Sequence, residues 1–178
     1  MVLLGLAVLT TYQTYLLTDQ LHVPTDRVQN YVLLATLVLM FFSIVTSIIA
    51  GFVSDKVHRR KPFVIGGSLL FTVALFFVAR SMHFEALVFA LVIAGIAQGV
   101  YMSIDLALAS QVLPNKKDAA KDLGVMNVAN ALPQSVAPLI APIFLAINGP
   151  HNYSSLFMAA ALFTLIGAGL IQPVRKVR

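Results

Sequence analysis

The chain contains no cysteine, and only 11% of its 178 residues are charged. The first absence rules out disulfides, thiolate catalysis and cysteine metal sites, and leaves the compartment open. The second is more informative, because about a quarter of a soluble domain is ordinarily charged. No polar break is long enough to hold a second domain. There is no glycine-rich phosphate loop ending in Lys-Ser or Lys-Thr and no arrangement of nucleophile, base and orienting group, which argues against ATP hydrolysis and against an enzyme. His22, His58, His83 and His151 lie far apart, without the spacing of a metal site. No cofactor is expected. Aromatic-basic interleaving and a solvated basic face are also missing, so the net charge of +5 does not argue for nucleic acid.

What remains is apolar: 59% of the residues are hydrophobic and the mean hydropathy is +0.89. The runs are long enough to cross a hydrocarbon core of about 30 Å at about 1.5 Å per residue. Six crossings are expected, at residues 1–21, 28–53, 62–79, 85–111, 123–147 and 154–171, giving an all-α, polytopic membrane protein in one unit spanning 1–178. The opening run resembles a signal peptide, but it lacks a basic leading region and a small-x-small cleavage site. It therefore reads as the first spanning helix. Pro133, Pro138 and Pro142 in the fifth segment predict kinks or irregular turns that face protein or a water-filled cavity. Ser43, Thr46, Ser47 and Gly51 in the second mark a close helix contact. Asn152-Tyr153-Ser154 formally matches a glycosylation sequon.

Charge placement predicts the orientation. Lys56, Arg59, Arg60 and Lys61 follow the second segment, Lys116, Lys117 and Lys121 follow the fourth, and Arg175, Lys176 and Arg178 end the chain. Only Arg27 and Arg80 fall on the other side. The positive-inside rule then places these three patches and the C terminus in the cytoplasm, next to anionic headgroups, with the first segment beginning there too.

Three further groups of residues are candidates for function. Tyr12, Tyr15 and Asp19 recur at i, i+3 and i+7, with Gln13 beside them, and form a polar-aromatic stripe on the first segment. Asn127, Asn130 and Gln134 share one face of the fifth; they either line a cavity or hydrogen-bond neighbouring helices. Asp105 is the single acid inside a predicted crossing. It is either a proton or ion coupling group or, being close to the cytoplasmic end, a structural ion pair.

The loop GFVSDKVHRRKP adds a resemblance. Gly51, Asp55, Lys56, Arg59 and Arg60 are spaced as in the cytoplasmic loop signature of the major facilitator superfamily, which follows the second helix of a six-helix half. His58 stands where a second glycine is usual, as in the less strict copy of the second half. The stretch KDAAKDLGVMNVANALPQSVAPLIAP is similar to actinobacterial and sugar-cation symporter-like members. The resemblance implies the carboxy-terminal six helices of a twelve-helix secondary transporter in the plasma (inner) membrane, working by alternating access. It further implies a small sugar, metabolite or drug-like substrate, H⁺ as coupling ion, and a partner that is either the amino-terminal half or another copy of the chain. The loop would be a conformational latch, and Tyr12, Gln13 and Tyr15 would line the cavity; anchoring at the membrane interface is the competing role for the tyrosines. The alternative for the whole chain is a non-transporting membrane scaffold.

Overall fold

A computed structural model describes residues 2–57, 61–112, 119–147 and 152–170, apart from the side chains of residues 61, 105–112, 119–123, 126 and 129. Among these residues there is no strand. Six α-helices follow one another: α1 (Val2–Tyr15), α2 (Thr25–Val57), α3 (Lys61–Arg80), α4 (Phe84–Val112), α5 (Ala119–Leu145) and α6 (Tyr153–Leu170). A π-helical turn, Leu16–Gln20, continues α1. In hydrocarbon each backbone amide and carbonyl must find its partner within its own segment, which is why apolar runs of this length become helices. By length and composition α2, α3, α4 and α6 can cross a membrane, and α5 contains a shorter apolar stretch, Asn130–Leu145.

Helix ends are set by local chemistry. The carbonyl of Pro24 accepts from the amides of Arg27 and Val28 at the start of α2. Glu85 places an acid in the first turn of α4, where the helix dipole favours it. Asn152 caps α6: its Oδ1 accepts from the Ser155 amide at 3.0 Å and its Nδ2 donates to the Ile147 carbonyl at 2.9 Å. Both side-chain atoms of the sequon asparagine are thus engaged. α5 stays helical through Pro133, Pro138 and Pro142, so the irregular turns expected there do not interrupt it.

The helices pack in a chain of neighbours: α2 on α4, α4 on α3, and α3 on α6, with α1 against α5 and α6. The end where α1, α3 and α5 finish and α2, α4 and α6 begin is called the upper end. It is tied together by a Tyr31–Phe84 edge-to-face ring pair at 4.5 Å, by the bond from Ser154 Oγ to the Ala79 carbonyl at 2.7 Å, and by the Asn152 amide on the Leu145 carbonyl at 3.2 Å. The core lies between α1, α3 and α6, around Leu9, Leu16, Phe71, Leu75 and Phe157.

α2 and α4 run in parallel and touch backbone to backbone. A Cβ placed on Gly95 would lie 2.7 Å from the Leu39 carbonyl oxygen, and one on Gly99 would press on the Ser43 carbonyl and lie 2.9 Å from the Ser47 amide nitrogen. The close contact expected at Ser43, Thr46 and Ser47 is present. Gly51 takes no part in it, since nothing lies within 4 Å of its notional Cβ. The opposite side of α2, with Leu33, Leu37, Phe41, Ile44, Ile48 and Phe52, is exposed.

Candidate functional site

The stripe expected on the first segment divides in two. Tyr15 is 55% exposed and Gln13 only 4%, because successive residues on a helix point about 100° apart. Tyr12 is partly buried against the core, and its ring lies 6.0 Å from that of Tyr15. Gln13 is buried, and its Nε2 has no hydrogen-bond partner; it does not share the tyrosines' surface. Asp19, one turn further, accepts from Tyr153 Oη on Oδ2 at 2.6 Å and from Thr18 Oγ1 on Oδ1 at 3.0 Å.

On α5, Asn127, Asn130 and Gln134 are all exposed, and their spacings of three and four put them on one side of the helix. α5 lies beside α1 and runs in the same direction. Gln134, Asn130 and Asn127 lie eleven, fifteen and eighteen residues before the α5 terminus at Leu145, and Tyr15 and Tyr12 five and eight before Gln20.

The loop signature begins inside α2, at Gly51, and Asp55 and Lys56 fall in its last turn. Asp55 and Lys56 are exposed there, and each takes part in an interaction. A carboxylate at a helix C-terminus is opposed by the dipole, by about 0.3–1 kcal/mol. Arg59 and Arg60, with His58, lie outside the described residues.

Asp105 belongs to α4, and its side chain lies outside the description. The parallel register with α2 pairs 39 with 95 and 43 with 99, an offset of 56. Asp105 is therefore level with Ile49, and seven residues, or about 10 Å, from the lower end of α4 at Val112. That depth is compatible with either role expected for it.

Sequence reasoning did not single out four features: the Asp19–Tyr153 bond, the Gln20 Nε2 bond to the Ser81 carbonyl at 2.9 Å, and the buried, unpartnered Ser54 Oγ and Gln98 Oε1. An acid closing an apolar run was a usable signal for the first. Contacts between residues 134 positions apart leave no local mark. No three His, Cys, Asp or Glu gather into a metal-binding group among the described residues.

Comparison with known proteins bears on the whole chain. The multidrug resistance protein MdtL of Shewanella sp. (strain ANA-3) is 29% identical over 125 residues, covering 70% of this chain and 30% of the relative. MdtL of Shewanella oneidensis is 30% identical over 121 residues, covering 68% and 29%. The chain thus spans under a third of the length of these curated relatives. No solved structure gives a significant match. Residues 1–177 match the Major Facilitator Superfamily, and with nearly every residue inside that match and an all-helical bundle to carry it, the chain belongs to that superfamily.

Proposed function

We propose that residues 1–178 form one six-helix half of a secondary transporter that moves a small, amphipathic, drug-like solute across the plasma (inner) membrane by alternating access. The observation that carries this reading is the family match over residues 1–177, and the name of the MdtL relatives favours a drug-like solute over a sugar. The lower end, which carries the Gly51–Lys61 loop, faces the cytoplasm, as does the C terminus. The second half is either an amino-terminal six-helix unit or another copy of this chain, docked on the exposed apolar side of α2.

Within this reading each candidate residue has a role. Tyr12 and Tyr15 on α1 and Asn127, Asn130 and Gln134 on α5 face the solute, the tyrosines stacking on its rings and the amides bonding its polar groups. Gln13, on the buried side of α1, reaches the cavity only if α1 moves. Gly51, Asp55, Lys56, Arg59 and Arg60 latch one conformation by exchanging charge contacts with neighbouring helix ends, and Asp105 carries the coupling proton, in symport with the solute.

Uptake of a panel of amphipathic dyes into proteoliposomes, with and without a pH gradient, tests the reading. Gradient-dependent flux is expected. Absence of flux from folded, correctly oriented protein, alone and with its second half, would leave a non-transporting scaffold. Asp105→Asn isolates the coupling role: its uptake should lose dependence on pH, and an unchanged pH profile removes Asp105 from the proton path.

A further inference from the structure

α3 is bounded by cations: Lys61 opens it, Arg80 closes it, and no acid stands in its first turn. Between them Pro62, Gly66, Leu69, Val73 and Phe76 are exposed, and their spacings of three and four keep them on one face. α4 and α6 pack against the rest of the helix. An apolar face of this length on a spanning helix meets lipid tails. At its lower end the face is indented.

The indentation is a groove of about 320 Å³ between α3 and α4, lined by Pro62, Phe63, Gly66, Gly67, Leu70 and Val100. Two successive glycines make it. At Gly67 the helices touch, since a Cβ there would lie 3.2 Å from Val100 Cγ1 and 3.4 Å from the Ala97 carbonyl oxygen. At Gly66 the missing side chain leaves the groove open, with nothing within 4 Å of its notional Cβ. From Pro62 to Leu70 the groove follows α3 for about 12 Å, along the direction of the acyl chains beside it.

None of the six lining residues has a polar side chain, whereas a site for a drug-sized solute carries a few placed polar groups that fix its orientation. Selectivity therefore lies at the mouth. Lys61 directly precedes Pro62, Arg59 and Arg60 precede Lys61 in sequence, and the positive end of the α3 dipole falls at the same level. An occupant that suits both parts has an apolar chain and an anionic head. Within a bilayer such a groove is filled, because a void forfeits the contacts of its lining atoms.

We propose that this groove binds an anionic phospholipid of the leaflet at the lower end, with one acyl chain lying along Gly66 and Gly67 and the phosphate beside the cation at Lys61. The site is on α3 and α4, apart from the exposed side of α2 on which the second half docks. It requires neither a solute nor that second half, so it stands or falls independently of transport.

Native mass spectrometry of the full chain in detergent, titrated with phosphatidylglycerol or with phosphatidylcholine of the same acyl chains, counts bound lipids and gives their Kd. Phosphatidylglycerol should bind the more tightly, and Lys61→Gln should cut that preference about fivefold, the worth of one cation near a headgroup, while leaving phosphatidylcholine binding unchanged. Gly66→Leu puts a four-carbon side chain into the open space of the groove and should weaken both lipids about tenfold by overpacking it. Its unfolding midpoint in lipid-free detergent should match or exceed that of the parent, since leucine is the better helix former. The proposal is overturned if Gly66→Leu binds phosphatidylglycerol like the parent, or if Lys61→Gln keeps the full preference. It is overturned equally if an amphipathic dye displaces the lipid, making the groove a solute site, or if Gly66→Leu dissociates a dimer, making it a contact between copies.

Discussion

The α2–α4 seam makes the sharpest demand on a single residue. Replacing Gly99 by Ala adds one methyl, whose nearest neighbours are the Ser43 carbonyl oxygen, the Ser47 amide nitrogen at 2.9 Å and Thr46 Cβ at 3.0 Å. Two of these are backbone atoms, so no rotamer change relieves the clash and the helices must separate. A gap of about 0.5–1 Å forfeits a quarter to a half of each van der Waals contact along the seam, and overpacking of a close contact costs about 1–3 kcal/mol. The better helix propensity of alanine returns about 1 kcal/mol. With the clash placed at the upper end of its range, the net loss is about 2 kcal/mol, or about 4–8 °C in Tm at about 2–4 °C per kcal/mol for a chain of this size. Gly66 is the internal control, since nothing lies within 4 Å of its notional Cβ; Gly66→Ala should gain up to about 1 kcal/mol. Thermal unfolding of both variants in one detergent–lipid mixture measures the contrast. A Gly99→Ala protein as stable as the parent, or a Gly66→Ala protein equally impaired, would refute backbone contact as the basis of the seam.

Other expectations follow from the ends and the core. Asn152→Ala removes the α6 cap and should cost about 0.5–2 kcal/mol, read as a lowered unfolding midpoint. His22→Gly relieves a left-handed backbone that costs an ordinary residue about 1–2 kcal/mol and should raise the midpoint, whereas His22→Val should lower it. A double-mutant cycle on Tyr31 and Phe84, whose rings meet edge to face, should give a coupling of about 0.5–1.5 kcal/mol; zero coupling would show that the pair does not join α2 to α4.

Much of the helical layout could be read from hydropathy, for a physical reason. Bilayer thickness fixes segment length and the missing solvent forces helix, so a run such as 62–79 differs from the observed Lys61–Arg80 by one residue at each end. Boundaries slipped where a helix outlasts its apolar run: the second segment was expected to stop at Val53, but α2 continues through Ser54, Asp55 and Lys56 to Val57, because polar side chains in the last turn break hydropathy without breaking hydrogen bonding. The π turn after Tyr15 was not legible, since one extra residue in a turn changes no composition. Small residues were a fair guide to close contact at Ser43, Thr46 and Ser47 but not at Gly51, which meets open space. The stripe on α1 was legible as a pattern and misleading as a surface. Spacing placed Tyr12, Tyr15 and Asp19 together, whereas Gln13, read beside them, belongs to the other side of the helix.

The parallel register of α2 and α4 also sets a timetable. Leu39 and Ser43 meet partners 56 residues later in the chain, and α2 has few other neighbours. At about 5–20 residues per second of synthesis, α2 waits roughly 3–11 s after emerging before the surface that receives it exists. During that interval its serine-lined side has only lipid, the insertion machinery or a wrong helix to lie against. Ribosome stalling before α4 has emerged would therefore expose an undocked α2 to quality control, and the same pause placed once α4 has left the ribosome would not.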